Sequence, residues 1–199
     1  MNFYGFLILQ GLVMPNFSDF DYYFAIDVLG IPASLLSLQF VWVALFILVM
    51  PAIYVVKFSH IEYQKLFITV QILWIVSYLG KLSLAMGWSQ QLGLPNFAVY
   101  FFFGTFLGPF EVMLTMMPGM IILTKLIPKG IEATMLALSS TIIALNQFTI
   151  RAQIGLLINA TTVDVTTDNL EDFATLAWVE FLCAFIPLTF IYRMVPTIA

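Results

Sequence analysis

Seven ionisable side chains stand inside stretches that are otherwise strongly apolar, and these are the residues that could do chemistry. They are Asp19, Asp21, Asp27, Lys81, Glu111, Arg151 and Glu180. A charged group in the hydrocarbon core of a membrane costs about 2.5–3.5 kcal/mol even on lenient insertion scales. Such groups therefore pair with one another, line a solute path or relay protons, and the sequence has to be searched for these roles.

Depth along the predicted membrane spans separates these residues. One group shares a band in the outer half of the membrane and consists of Asp19, Asp21, Lys81, Arg151 and Glu180. Glu111 lies near the midplane, and Asp27 lies close enough to the outer end of its span to be exposed there. Opposite charges at matched depth offset each other's cost, so this band is where we expect ion pairs.

We expect Arg151 to be the cation of this band. Its partner is predicted to be Glu180, or else one of the two aspartates of the first span, Asp19 or Asp21. Such a pair could lie in a polar cavity or could lock helices together, and the sequence leaves both open. For Lys81 we expect a side chain that extends outward to the membrane surface.

Two amides lie about one turn from Arg151, Asn146 and Gln147. Amide side chains either bind a polar ligand or join neighbouring helices. We predict a substrate-binding set of Asp19, Asp21, Asn146, Gln147 and Arg151. Glu111 and Glu180 are the predicted proton-coupling or ion-pair residues.

The elements that must position these side chains are apolar helices. Of the 199 residues, 62% are apolar and only 9% are charged, so a soluble domain could not bury this surface. A membrane helix needs about 20 mostly apolar residues. We predict an all-α, polytopic membrane protein with one domain and six helices, at about 2–29, 32–57, 63–87, 95–126, 129–160 and 170–193.

Lysine and arginine placement predicts the orientation of these spans, because cytoplasmic loops carry the excess of positive charge. One side of the predicted topology holds Lys57, Lys65, Lys125, Lys129 and Arg193. The loops on the other side hold no lysine or arginine. Both termini are therefore predicted to be cytoplasmic, in a membrane that the sequence does not identify.

Glycine and proline interrupt two of the spans. Gly104 and Gly108 have the four-residue spacing that lets two helices approach closely. Pro109 and Pro118 each remove a backbone hydrogen bond and should kink the same helix, and residues 14–16 should break the first one. Interrupted spans are typical of transport pathways, since freed backbone groups need a packed or hydrated interior.

Other classes of function find no support in the residues. The chain has no basic patch for nucleic acid, no zinc-ligand cluster, no phosphate loop and no nucleophile motif. The single histidine, His60, lies in a predicted loop, and the single cysteine, Cys183, is expected to serve packing. We therefore expect no enzyme activity, no metal and no cofactor.

Three segments resemble a known family. Residues 127–140 followed by Asn146 resemble the penultimate-helix signature of the folate–biopterin transporter family, within the major facilitator superfamily. Residues 21–36 resemble its seventh helix and the following turn, and residues 168–173 resemble the start of its last helix. The resemblance implies that the six helices correspond to the C-terminal half of a twelve-helix transporter.

Further expectations follow from the resemblance alone. Family members move folates, pterins or related small organic molecules, often with proton coupling. Pro128, Gly130 and Glu132 would belong to the inner gate region. The expected partners are the lipid bilayer, a small polar or anionic organic solute, and a second six-helix half or another membrane chain. Whether the chain is a fragment, a split half or a homodimer stays open, as does the alternative of a non-transporting subunit that packs in a larger complex.

Overall fold

The computed structural model describes residues 2–127, 130–167 and 169–197, without the side chains of residues 2, 126, 132, 147 and 148. Every regular element in these ranges is helical, which confirms the predicted all-α class. The helices are α1 (Asn2–Val13), α2 (Ser18–Tyr23), α3 (Ala33–Ile53), α4 (Tyr63–Ala85), α5 (Trp88–Gln91), α6 (Asn96–Tyr100), α7 (Leu107–Leu126), α8 (Glu132–Ala144), α9 (Arg151–Thr162), α10 (Phe173–Cys183) and α11 (Leu188–Met194).

Four wider, π-helical turns extend some of these helices. They follow α2, α3, α6 and α8, at Phe24–Val28, Tyr54–Phe58, Phe101–Phe106 and Leu145–Ile150. The last of them joins α8 to α9, so the chain is helical from residue 132 to residue 162. Turns of this kind are frequently found at functional sites.

Among the described residues, four helical segments are long and apolar enough to cross a membrane by length and composition. They are Ala33–Phe58, Tyr63–Ala85, Asn96–Lys125 and Phe173–Met194. Phe3–Val13 and Ala133–Ala144 are apolar but shorter. The predicted count of six membrane helices and the half-transporter arrangement therefore stay predictions, while four described segments are candidate spans by length and composition.

The first predicted span is not one continuous helix. Helix α1 ends at Val13, residues 14–17 are non-helical, and α2 begins at Ser18. The predicted break is thus confirmed, and it follows from Pro15, which has no N–H for the helical ladder. The break leaves backbone groups of residues 14–17 that other parts of the protein must satisfy.

The two prolines of the 96–126 segment differ in their effect. Pro109 lies in the first turn of α7, directly after the π-helical turn Phe101–Phe106. A proline ring collides with the carbonyl four residues earlier, here that of Thr105, and the wider turn relieves this contact. Pro118 lies inside α7, which continues as an α-helix through it.

Two apolar cores lie at opposite ends of α4. The first joins α1, α4, α7 and α11 and includes the ring contacts of Phe6 with Phe67 and Phe190, at 5.3 and 5.8 Å between centroids. The second surrounds the stacked rings of Phe24 and Phe173, 4.2 Å apart. The middle of α4 is left between them and faces a space that neither core fills.

Helix α3 presents a largely exposed apolar surface. Phe40 is 71% exposed and Leu48 is 78% exposed. An apolar helix face of this extent is stable only against lipid or another apolar partner, which agrees with an integral membrane protein.

Candidate functional site

A cavity of about 460 Å³ opens beside the middle of α4. Its size falls within the range of small-molecule sites, about 300–1,000 Å³. The lining combines aromatic rings with a few polar and charged groups. Its aromatic and polar members are Ser18, Asp21, Tyr22, Phe24, Gln39, Phe40, Trp74, Ser77, Tyr78, Lys81, Tyr100, Phe103, Glu111 and Phe173. We refer to it below as the cavity.

Helix α4 contributes a stripe of functional side chains to the cavity. Trp74, Ser77, Tyr78 and Lys81 recur at three- and four-residue spacing and therefore share one helix face. The rings of Trp74 and Tyr78 lie 5.6 Å apart between centroids. Sequence reasoning assigned no site role to these residues, although their helical spacing was a signal that could have found them.

The 96–126 segment forms another wall of the cavity. Gly104, Gly108 and Pro109 line it. The prediction that the two glycines let a second helix approach closely is wrong. A Cβ added at Gly104 would have Gln39 Nε2 at 3.9 Å as its nearest described neighbour, and one added at Gly108 would meet nothing described within 4 Å. These glycines instead leave room for the cavity.

Lys81 lies at the centre of a charge cluster, which consists of Asp21, Lys81 and Glu180. Its ammonium group forms salt bridges with both carboxylates, and it lies 5.3 Å from the centroid of the Phe173 ring. The expectation that Lys81 extends outward is therefore wrong. Two carboxylates at the depth of its ammonium group stabilise it inside the protein, where only 17% of the side chain is exposed.

Arg151 has a different role from the predicted one. Its Nε donates to the carbonyl oxygen of Met14 at 2.9 Å, and its Nη2 donates to the Tyr78 hydroxyl at 2.9 Å. The guanidinium carbon also lies 5.0 Å from the centroid of the Trp74 ring. Within the described residues no carboxylate forms an ion pair with it.

The predicted pairing of Arg151 with Glu180, Asp19 or Asp21 is consequently wrong. The physical reason is the helix break, which leaves the Met14 carbonyl without an intrahelical donor, so the guanidinium satisfies it. Lys81 takes the carboxylates that we assigned to Arg151.

Backbone contacts attach the break between α1 and α2 to the surrounding helices. The amide of Asn16 donates to the carbonyl oxygen of Arg151 at 3.0 Å. The amide of Phe17 donates to Glu180 Oε1 at 3.2 Å. A Cβ added at Gly155 would lie only 2.3 Å from the carbonyl oxygen of Asn16, so glycine is required for this approach. Contacts with α9 and α10 therefore hold the break in place.

A second, much smaller space of about 50 Å³ adjoins the cavity, and we refer to it as the chamber. Asn146 and Arg151 line it together with Gln10 and Thr115, and Trp74 lines both spaces. Asn146 Nδ2 donates to the carbonyl oxygen of Leu7 at 2.7 Å. The chamber has room for one or two water molecules or a small polar group.

Glu111 is a buried carboxyl that faces the cavity. Only 3% of the residue is exposed, and the Ser77 hydroxyl donates to its carboxylate. Across the described ranges, no lysine or arginine forms an ion pair with it. Its surroundings therefore differ from those of Glu180, which is paired with Lys81.

The predicted site residues do not come together in one place. Asp21 and Glu111 line the cavity, whereas Asn146 and Arg151 line the chamber. Asp19 is exposed on α2 and lines neither space. The side chains of Gln147 and Glu132 lie outside the described part of the structure. So do all atoms of Pro128 and of Lys129, the latter being one of the residues that predict the orientation.

Two further predicted positions can be placed only in part. Gly130 has a positive φ of 95°, as a tight turn before α8 requires. Asp168, part of the third segment that carried the family resemblance, lies outside the described residues.

Comparison with known proteins gives one family. The model of the BT1 family matches residues 6–199, almost the entire chain. No curated protein and no solved structure matches the sequence.

Proposed function

Because the chain belongs to the BT1 family, a family of folate–biopterin transporters, we propose that its cavity binds a folate- or pterin-like solute during transport across a membrane. The observation that carries this proposal is the cavity itself, a 460 Å³ space beside a broken helix. Discontinuous helices and intramembrane charges are the features from which transporters build solute sites.

The lining of the cavity suits a flat, polar ring. Trp74, Tyr78, Tyr100 and Phe103 offer aromatic faces on which such a ring can stack. Ser77 and the charged side chains provide hydrogen-bonding groups for its edge. The combination of a mainly apolar lining with few polar groups is typical of sites that fix the orientation of a small molecule.

The predicted binding residues are assigned roles according to where they lie. Asp21 would contact the solute in the cavity, and Arg151 with Asn146 would contact a small polar group of the solute that passes Trp74 into the chamber. Asp19 would act at the exposed approach on α2, and Gln147 beside its neighbour Asn146. The assignments of Asp21, Asn146 and Arg151 rest on the lining of the two spaces.

Glu111 is the carboxyl that we propose to carry a coupled proton. It faces the cavity, and its hydrogen bond from Ser77 can form in either protonation state of the carboxyl. Glu180 fits the structural ion-pair role, since Lys81 and the Phe17 amide hold it.

A second six-helix half, or another membrane chain, is proposed to complete the transporter. Solute sites that alternate between two sides of a membrane form between two repeats, and this chain supplies one. In this arrangement both termini are cytoplasmic, and the turn with Pro128, Gly130 and Glu132 belongs to the inner gate. The chain would then be a fragment, a split half or one subunit of a homodimer.

The test is uptake of labelled folate and biopterin into vesicles that contain the chain, with and without an N-terminal six-helix half. We expect uptake only when both halves are present, and stimulation by an inward proton gradient that Glu111→Gln abolishes. The matched control is Glu62→Gln, an exposed carboxylate paired with Lys65, which should leave uptake unchanged. Absence of uptake with every partner arrangement would contradict the proposal.

The contacts of Arg151 support the alternative of a non-transporting subunit. Its side chain joins α9 to the break at Met14 and to α4 at Tyr78 and Trp74, as in a structural connection. In that case Arg151→Ala would reduce assembly of the complex, and no solute would bind the purified chain. Specific binding of either labelled solute separates the two functions.

A further inference from the structure

We propose that Lys81 is the residue that binds an anionic group of the solute, and that this group replaces Asp21 as its partner. The inference rests on the proposed function and adds to it the residue that selects anionic over neutral solutes. It departs from the sequence-based expectation, which gave the anion to Arg151.

The two carboxylates of the charge cluster are held unequally. Glu180 is buried, with 2% of its side chain exposed, and it accepts a second hydrogen bond from the Phe17 amide. Asp21 is 33% exposed and lines the cavity. Glu180 is therefore the fixed partner of Lys81, and Asp21 is the one that an incoming anion can replace.

The position of Asp21 permits this exchange. It lies on α2, a helix of six residues that follows the non-helical residues 14–17. Its side chain is one-third exposed and lines the cavity, so it can rotate away from the ammonium group into the cavity without moving Glu180. A solute carboxylate that took its place would leave Lys81 with two carboxylate partners, as before.

Lys81 is also better available than Arg151. Lys81 lines the cavity, whereas Arg151 lines only the chamber. Two nitrogens of Arg151 already donate to the Met14 carbonyl and the Tyr78 hydroxyl, and its plane lies against Trp74. An anion at Arg151 would have to enter a space of about 50 Å³, while one at Lys81 occupies the larger cavity.

The experiment compares two probes that share a pterin ring. Folate carries carboxylates and biopterin carries none, so the ratio of their affinities reports the anion contact. Binding to the full chain in lipid nanodiscs is followed by quenching of tryptophan fluorescence, because Trp74 lines the cavity. Trp74→Phe identifies the part of the signal that comes from this ring.

Lys81→Gln should weaken folate binding about tenfold, equivalent to about 1.4 kcal/mol, and should change biopterin binding less than about twofold. Asp21→Asn should strengthen folate binding about three- to tenfold, since the ammonium group loses a competing carboxylate. Lys125→Gln is the matched control. This lysine lies near the end of α7 and contacts Tyr63 on α4, so its replacement should change neither affinity.

A lone Lys81→Gln change leaves Glu180 buried beside a neutral amide and can impair folding. The double variant Lys81→Gln/Glu180→Gln removes both charges of that pair, and Asp21→Asn keeps the pair intact, so both remain informative. Equal losses for folate and biopterin in the double variant, or no gain for folate in Asp21→Asn, would overturn the inference alone. If folded wild-type protein binds neither probe, the proposed function fails as well.

Discussion

Gly155 provides the sharpest test of how the helix break is held. It lies on α9 against the backbone of Asn16, and a Cβ there would be 2.3 Å from the Asn16 oxygen, 3.1 Å from its carbonyl carbon and 3.3 Å from its nitrogen. All three neighbours are backbone atoms, which cannot rotate away. Gly155→Ala must therefore separate α9 from the break and lengthen the hydrogen bond between the Asn16 amide and the Arg151 carbonyl.

The size of the effect follows from three contributions. Overpacking costs about 1–3 kcal/mol, and loss of one hydrogen bond costs about 1 kcal/mol. Alanine is favoured over glycine in a helix by about 1 kcal/mol, so the net destabilisation is about 1–3 kcal/mol. At Gly108 the helix preference for alanine is offset, because the following Pro109 disfavours a Cβ on the helical residue before it, so the net change there is close to zero. The two variants should therefore differ by about 1–3 kcal/mol in their free energy of unfolding.

The assay is denaturant unfolding of the wild type, Gly155→Ala and Gly108→Ala in the same lipid or detergent mixture. We expect Gly155→Ala to unfold at lower denaturant than the wild type, and Gly108→Ala to unfold at about the same denaturant as the wild type. Identical midpoints for the two variants would refute the reasoning, because they would show that α9 does not lie against the break.

Three further variants follow from the same contacts. Gly11→Ala places a Cβ 1.3 Å from Asn146 Oδ1, so it should destabilise the protein by about 1–3 kcal/mol, and adding Asn146→Ala should restore most of that loss in the same unfolding assay. Gly80→Ala places a Cβ 2.2 Å from the Phe103 ring, which should move this cavity wall and weaken biopterin binding in a fluorescence titration. Arg151→Lys keeps the charge but loses the forked geometry, so it should lower stability by about 1–2 kcal/mol in the unfolding assay, whereas unchanged stability would remove its assigned role.

The sequence was sufficient for the class of the protein and for the break in its first span. Apolar runs of membrane length predict helices because a helix satisfies its backbone groups within one segment in lipid, and Pro15 predicts the break directly. The predicted family is confirmed by the match of the BT1 family model to residues 6–199. These predictions depend on the properties of single segments, and they do not require knowledge of which segments pack together.

The pairing of charges could not be predicted in the same way. Depth placed Lys81, Arg151 and Glu180 in one band, but depth gives no information on which helices face each other. At these depths either Lys81 or Arg151 could pair with the carboxylates. The packing of the helices brings Lys81 next to them. Arg151 instead donates a hydrogen bond to the Met14 carbonyl at the break. This carbonyl lacks a helical donor only in the folded structure, so the sequence does not reveal the contact.

The cavity wall was hidden for a related reason. Small residues at four-residue spacing favour helix contact when another helix is present, and they leave a space when none is. Gly104 and Gly108 face a space, while the close approaches occur at glycines that carry no such motif. Spacing along one helix cannot distinguish these cases.

The most direct test of whether the cavity is the solute site is equilibrium binding to a cavity-filling variant. Gly108→Leu adds a side chain to the cavity lining, at a position where an added Cβ meets no described atom within 4 Å. We expect folate and biopterin both to bind this variant at least about tenfold more weakly than the wild type, with Gly108→Ala in between. Wild-type affinity for both solutes in folded Gly108→Leu would show that the cavity is not the solute site.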